Sequence, residues 1–288
     1  MTDPIVVGVD GSGRSLRALT WAAHEAALHG HPLRIVHVLP SEHDQELTAE
    51  ARAWWEHQRD EGVVDEATAI AKELRPGLDV TSDLPSGAPA AVLLSESEHA
   101  HTLVLGAKGT GGFASLLLGS VTVQVVGHTA CPVVVVNHVT AGHRRIVVGA
   151  DGSAHSEAAL AYAFHEASVR DVQLRVVHAS GAPALPAQVS TEPEKAAQEA
   201  AERKRMLEEW LAPLRREHPT VDVREDVVRD TPILALARAS DRADLLIVGS
   251  RGRGGFHGLA IGSVSQALLQ YSQCPLAVVR PRPTEATA

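Results

Sequence analysis

The chain has 288 residues, 44% of them apolar, and a formal net charge of -9, which together suggest a globular protein of two domains. A net negative charge without a cluster of Lys and Arg argues against a general nucleic-acid binder and against a binder of anionic membranes. The two cysteines, Cys131 and Cys274, are too few for a disulfide scaffold or a Cys-rich zinc module. No signal-like start and no apolar stretch of roughly 20 residues is present, so a cytoplasmic protein is expected.

The sequence contains an internal repeat. Residues 5–38 and 146–179 are identical at 18 of 34 positions, at a constant offset of 141. Residues 103–136 and 246–279 are identical at 14 of 34 positions, at an offset of 143. A period near 140 indicates a duplicated domain, because solenoid units are much shorter. We therefore predict one domain over residues 1–140 and a second over residues 144–288.

Each half alternates strands with helices. In the first half, short apolar runs rich in β-branched residues predict strands at 5–9, 33–38, 80–84, 102–106 and 133–136. Apolar residues at helical spacing predict helices at 15–28, 48–74, 89–97 and 120–128. The second half has the same order. The predicted fold class is α/β: two tandem open sheets of five parallel strands, with right-handed crossovers and helices on both faces.

Candidate binding residues follow the first and fourth strands of each half. In doubly wound sheets, ligands bind outside the carboxyl ends of the strands, where the winding direction switches. Asp10 and Asp151 end the first strands. After each fourth strand comes a Gly-x-x-Gly sequence, then nine intervening residues, and then Gly-Ser. This pattern falls on Gly106, Gly109, Gly119 and Ser120, and on Gly249, Gly252, Gly262 and Ser263.

This glycine pattern is suited to a phosphate group. Glycines let successive backbone N–H groups point into one concavity and let a ligand approach closely. Ser120 and Ser263 stand where helices are predicted to begin, and free N–H groups at a helix start favour anions by ~0.3–1 kcal/mol each. The two loops are therefore candidate polyphosphate sites.

The glycine pattern, with an aspartate ending the first strand, resembles the ATP-binding class of the universal stress protein family. The resemblance covers the chain twice, as in a tandem-domain member. It implies flavodoxin-like layering of the adenine-nucleotide α-hydrolase type and two ATP molecules per chain, with Mg²⁺ as an accompanying ion. It further implies a role in stress response and growth control, a homodimer, and a protein partner that the sequence does not identify.

The resemblance assigns the ATP contacts residue by residue. In the first half they are Gly8, Asp10, Val38, Gly106, Ala107, Lys108, Gly109, Thr110, Gly111, Gly112, Gly119, Ser120 and Val121. In the second half they are Gly149, Asp151, Ala179, Gly249, Ser250, Arg251, Gly252, Arg253, Gly254, Gly255, Gly262, Ser263 and Val264. The aspartates and the backbone at Val38 and Ala179 would face the adenosine. A carboxylate fits there because it accepts hydrogen bonds from hydroxyl or amine groups and repels phosphates.

The charges beside the two loops differ. The second loop carries Arg251 and Arg253, where the first carries Lys108 and Thr110. One more cation near the phosphates predicts tighter and more salt-sensitive ATP binding in the second half.

Some of these features have plainer explanations. The glycine loops could be tight turns, and Asp10 and Asp151 could cap the helices that follow them. The histidine pairs His29/His31 and His99/His101 do not recur in the other half, and no HExxH motif occurs, so no metal site is assigned.

The sequence favours a nucleotide-dependent regulator over an enzyme. It has no P-loop, no GxSxG and no kinase signature, and no recognisable pair of nucleophile and base, so no catalytic residue is assigned. A slow ATPase or an adenylyl or phosphoryl transferase on the same fold remains the alternative. A structural assembly protein that nucleotide merely stabilises is the third hypothesis.

Overall fold

The computed structural model describes residues 2–39, 49–109, 118–140, 142–179, 181, 193–253 and 260–281, with the side chains of 49–59 and 193–196 left out. The chain divides into two compact units, Met1–Val139 and Thr140–Ala288, which we call the first and second domains. Within the described ranges, no helix has both the length and the apolar character needed to cross a membrane.

The first domain alternates five strands with four helices, as the sequence predicts. Its elements are β1 (Ile5–Gly8), α1 (Gly13–His29), β2 (Leu33–Val36), α2 (Ala49–Leu74), β3 (Val80–Asp83), α3 (Pro89–Ser97), β4 (Thr102–Gly106), α4 (Ser120–Val126) and β5 (Val133–Val136). The strands pair in parallel in the order β3-β2-β1-β4-β5. β2 ends two residues before the predicted boundary, and so does α4.

The second domain repeats this arrangement. Its elements are β6 (Arg145–Gly149), α5 (Ala154–Arg170), β7 (Gln173–Ala179), α6 (Pro193–Glu217), β8 (Val223–Val228), α7 (Pro232–Ser240), β9 (Leu245–Gly249), α8 (Ser263–Tyr271) and β10 (Leu276–Val279). The parallel order β8-β7-β6-β9-β10 matches that of the first domain. The mixed α/β fold predicted from the sequence is therefore confirmed in both halves.

The central strands are buried on both faces, which explains their uninterrupted apolar sequences. Every residue of β5 is at most 2% exposed, and so are the first three residues of β1. In the first domain, α1 and α2 pack together on one face, and α3 packs with α4. Because burying each Val or Ile side chain stabilises the fold by ~1.5–3 kcal/mol, these strands form a rigid frame for the loops at their carboxyl ends.

The winding direction switches between β1 and β4 in the first domain, and between β6 and β9 in the second. β1 lies between β2 and β4, so the chain moves first to one side of β1 and then to the other. The crevice outside the carboxyl ends of β1 and β4 is thus the expected ligand site.

Serines cap the first helix of each domain. The Ser12 hydroxyl accepts the Ser15 backbone N–H at 3.1 Å, and Ser153 does the same for Ser156 at 3.2 Å. The glycine before each cap has a positive φ, +75° at Gly11 and +74° at Gly152, which L side chains rarely adopt. The strand-to-helix turn is therefore the same in both domains.

Candidate nucleotide site

A cavity of about 690 Å³ opens at the switch point of the first domain. Among the residues predicted from the sequence, those that line it are Gly8, Asp10, Val38, Gly106, Lys108, Gly109, Gly119, Ser120 and Val121. They come from the ends of β1, β2 and β4 and from the start of α4. The fold therefore brings into one cavity residues that lie more than 100 positions apart in the sequence.

Matched hydrogen bonds close the base of each glycine loop. The Gly119 N–H donates to the Ala107 carbonyl at 2.9 Å, and the Gly262 N–H donates to the Ser250 carbonyl at 2.8 Å. The two ends of each loop are thus fixed against each other, while residues 110–117 and 254–259 lie outside the described ranges. Thr110, Gly111, Gly112, Gly254 and Gly255 fall in those segments.

Hydroxyl groups tie each following helix to the end of its strand. Thr122 donates to the Gly106 carbonyl at 2.9 Å, and Ser265 donates to the Gly249 carbonyl at 2.7 Å. Sequence analysis missed both residues, although a hydroxyl recurs here at the offset of 143. The first turns of α4 and α8 are consequently held over the ends of β4 and β9.

The serines at the two helix starts are not caps. Gly119 and Gly262 occupy the N-cap positions, and no described side chain makes a capping hydrogen bond there. Ser120 is exposed and lines the cavity. Its hydroxyl is therefore available to a ligand without loss of a helix cap.

Asp10 and Asp151 have structural contacts in addition to their position at the site. Oδ1 of each carboxylate accepts a backbone N–H two residues later, from Ser12 at 3.1 Å and from Ser153 at 3.0 Å. A Cβ on Gly109 would collide with the Asp10 carboxylate, and one on Gly252 with that of Asp151. Each aspartate therefore stabilises the turn after the first strand and also packs against the glycine loop of its own domain.

A buried histidine and carboxylate form part of the cavity wall in the first domain. His37 Nδ1 donates to the Val9 carbonyl at 2.8 Å, and its Nε2 lies 3.3 Å from Oδ1 of Asp60, which is 4% exposed. His178 makes the matching bond to the Ala150 carbonyl at 2.8 Å. The recurrence of the histidine is visible in the sequence, but Asp60 carries no signal because it lies within a long polar helix.

An indole and a guanidinium occupy the corresponding region of the second domain. The Trp210 ring meets the His178 ring edge-on, with centroids 5.7 Å apart, and the Arg253 guanidinium lies 5.3 Å from the indole centroid. The Arg253 backbone N–H donates to Asp151 Oδ2 at 3.0 Å. The two domains therefore differ most at the side where the resemblance locates adenosine.

The second domain gathers three basic groups where the loop begins. His155, at the start of α5, has its pKa lowered by burial and then by the charges of Arg251 and Arg280. Burial and Arg251 also lower the pKa of Arg280. The Nε of Arg251 is buried and has no hydrogen-bond partner among the described residues. A cationic environment of this kind favours an anion, and Arg280 was not found from the sequence.

Comparisons with known proteins show which family the chain is part of. The model of the universal stress protein family matches residues 1–137 and again residues 142–280. Universal stress protein Rv2005c of Mycobacterium tuberculosis is 38% identical over 287 residues, which is 96% of each chain. This chain belongs to the universal stress protein family.

Solved structures of the family include relatives of this chain. A universal stress protein from Archaeoglobus fulgidus is 21% identical and covers 96% of each chain, with a TM-score of 0.72, which shows the same fold. Another universal stress protein, solved in complex with cAMP, is 28% identical and covers 47% of this chain and 97% of that one, with a TM-score of 0.38.

Two of the residues assigned by the universal stress protein resemblance lie beneath the site. Ala107 is 1% exposed and Ser250 is fully buried. Their carbonyls already accept the N–H groups that close the loops. In the second domain, Gly149 and Gly249 end β6 and β9, Ala179 ends β7, and Ser263 and Val264 open α8.

Proposed function

We propose that this universal stress protein binds ATP in each domain and acts as a nucleotide-dependent regulator of stress response and growth. The observation that supports this most directly is the cavity of the first domain, which gathers the residues assigned to ATP by resemblance. Its volume of about 690 Å³ falls within the range of ligand pockets.

The chemistry of the cavity supports a ligand with one apolar and one anionic end. Val36, Val38, Val63 and Leu93 contribute apolar surface. The loop glycines, Lys108 and the Ser120 hydroxyl lie on the β4 side. A purine fits the first surface, and phosphate oxygens fit the second because backbone N–H groups and a lysine donate hydrogen bonds to anions. Mg²⁺ would accompany the triphosphate and offset part of its charge.

A regulatory role fits the position of the buried histidine and carboxylate of the first domain. His37 and Asp60 lie beside the end of β2, where Val38 is expected to face adenine, and not beside the glycine loop. An imidazole and a carboxylate at the nucleoside end help to bind the ligand but are remote from the phosphate that hydrolysis would attack. The nucleotide would then control binding of a protein partner or a second copy of the chain.

The first experiment identifies the bound nucleotide. Protein purified without added ligand is denatured, and the released molecules are identified by mass spectrometry. Calorimetric titration with ATP, ADP, AMP and cyclic AMP then gives the preference and the number of sites. Two bound adenine nucleotides per chain are expected. Protein that releases none and binds none would contradict the proposal.

A second experiment separates regulation from catalysis. The protein is incubated with ATP and Mg²⁺ for several hours, and the products are quantified beside a heat-denatured control. Unchanged ATP, together with ATP-dependent capture of a partner or an ATP-dependent change in oligomeric state, is expected. Hydrolysis of ATP in stoichiometric amounts that stops when Ser120 and Ser263 are replaced would instead favour the slow ATPase.

A further inference from the structure

The adenosine side of the second domain is built around Trp210 on α6. A Cβ on Gly152 would collide with the Trp210 ring and with the Arg253 guanidinium. In the first domain, a Cβ on the equivalent Gly11 would meet, among the described residues, the Val63 side chain at 3.1 Å. Trp210 thus takes the place of Val63 beside the turn that follows the first strand.

The indole lies between the two strand ends that the proposed function assigns to adenosine. One of its neighbours is the Gly152 turn after β6, and the other is the His178 ring near the end of β7. Trp210 is half-buried, whereas Arg253 is exposed. The guanidinium lies over the ring, 5.3 Å from its centroid, and Nη2 makes a long contact of 3.4 Å with the Gly152 carbonyl.

A flat cation on an indole occupies the kind of surface on which a nucleobase stacks. Purines and guanidinium groups are both planar and both bind the faces of aromatic rings. Arg253 belongs to the glycine loop, so its side chain can leave the ring without movement of a helix or strand. The Val63 side chain of the first domain offers no aromatic face.

We propose that Trp210 is the base-stacking residue of the second domain, and that Arg253 covers its face until a purine nucleoside or nucleotide replaces the guanidinium. This inference rests on the proposed function, because it assigns a residue within the same site. It makes the two sites chemically unequal: the first binds the base by burial, and the second binds it by stacking in competition with Arg253.

The test uses AMP as the probe and isolates the second site with Ser120→Asp, whose carboxylate repels the phosphate of AMP from the first site. In that background, Trp210→Val weakens AMP binding by roughly tenfold or more, whereas Trp210→Phe retains most of it. Arg253→Ala tightens AMP binding by about two- to fivefold, because no guanidinium has to be displaced. ATP gains less, since a released Arg253 can contact its longer phosphate chain.

Matched measurements control for folding and for the other site. Trp210→Val in a Ser263→Asp background, where only the first site binds AMP, leaves AMP affinity unchanged. Quenching of tryptophan fluorescence by AMP in the Ser120→Asp protein is lost with Trp210→Phe. Melting temperatures without ligand show whether each variant is folded, and Trp210→Phe tests the role even if Trp210→Val unfolds.

Three outcomes would overturn the inference. AMP binding that is unchanged or tighter in Trp210→Val would mean that the indole obstructs the site and does not stack on the base. AMP binding unaffected by Arg253→Ala would remove the competition. A Ser120→Asp protein that binds no AMP would also overturn it. If the Ser263→Asp protein still binds ATP in that last case, the proposed function survives in the first domain.

Discussion

The two domains share one frame and differ in the side chains that line it. The strand order recurs in both domains. So do three hydrogen bonds, whose lengths agree within 0.1 Å: the caps by Ser12 and Ser153, the bonds that close the loops, and the histidine bonds to Val9 and Ala150. The wall that we assign to adenosine does not recur: the first domain has Asp60 and Val63 there, and the second has Trp210. The two domains therefore share the backbone of the proposed site and differ in the side chains beside it.

The charges at the phosphate end also differ. The first domain has Lys108, whereas the second has Arg251 with His155 and Arg280 nearby. Arg253 was predicted from the sequence to be an additional phosphate ligand. The structure instead places its guanidinium on Trp210, so the additional cation of the second site is Arg280. His155 does not add a charge there, because burial and the two arginines lower its pKa and favour the neutral imidazole.

The largest effect is expected from a negative charge at each helix start. Ser120→Asp and Ser263→Asp should each remove one of two bound ATP molecules, and the double variant should bind none, because the new carboxylate repels phosphate at close range. Helix stability should not suffer, since an acidic residue is favourable in the first turn. Calorimetry and native mass spectrometry give the stoichiometry. Loss of both molecules in either single variant would show that the sites are not independent.

Removing only the hydroxyl should have a smaller effect. Ser120→Ala and Ser263→Ala should each weaken ATP binding in their own domain by roughly 1–3 kcal/mol, the contribution of a hydrogen bond to a charged group. Melting without ATP should be nearly unchanged, because Gly119 and Gly262 are the N-caps. Equal destabilisation with and without ATP, at unchanged affinity, would contradict a role in binding.

Salt should separate the two sites further. ATP affinity of the second site, measured in the Ser120→Asp protein, should fall more steeply with ionic strength than that of the first site, measured in Ser263→Asp. Arg251 and Arg280 would both face the phosphates there, and salt screens their charges. Arg280→Gln should reduce the difference. Equal slopes in the two proteins would mean that Arg251 and Arg280 do not face the ligand.

The smallest effect concerns acid stability. Burial is the main cause that lowers the pKa of His24 in the first domain and of His155 in the second below 6.5. The unfolded chain therefore takes up protons first, and the contribution to stability is complete above pH 6.5 and is lost as the pH falls below it. Denaturant unfolding at several pH values should show this loss, reduced in His24→Gln and His155→Gln. A loss that persists undiminished in both variants would assign it to other groups.

Local patterns in the sequence were sufficient for the elements and for the loop. The strands are apolar because they are buried on both faces, and α3, β4 and β5 have the predicted boundaries. The glycine spacing correctly located both loop ends and both helix starts. Thr122 and Ser265 could have been found too, because their hydroxyls recur at the same offset as the glycines.

What only the tertiary structure decided is which residues of the long helices and of distant strands face the cavity. Val63 and Trp210 are 147 positions apart, which matches neither repeat offset, so the constant offsets do not pair them. Four residues beyond the offset of 143 is about one helical turn, so both side chains lie on the same helix face and contact the same turn of their own domain. Likewise, Arg280 meets Arg251 only because β10 pairs with β9. The sequence by itself therefore determined the strands, the helices and the glycine loops, through local backbone preferences and burial. Long-range packing determined which side chains lie beside those loops in each domain.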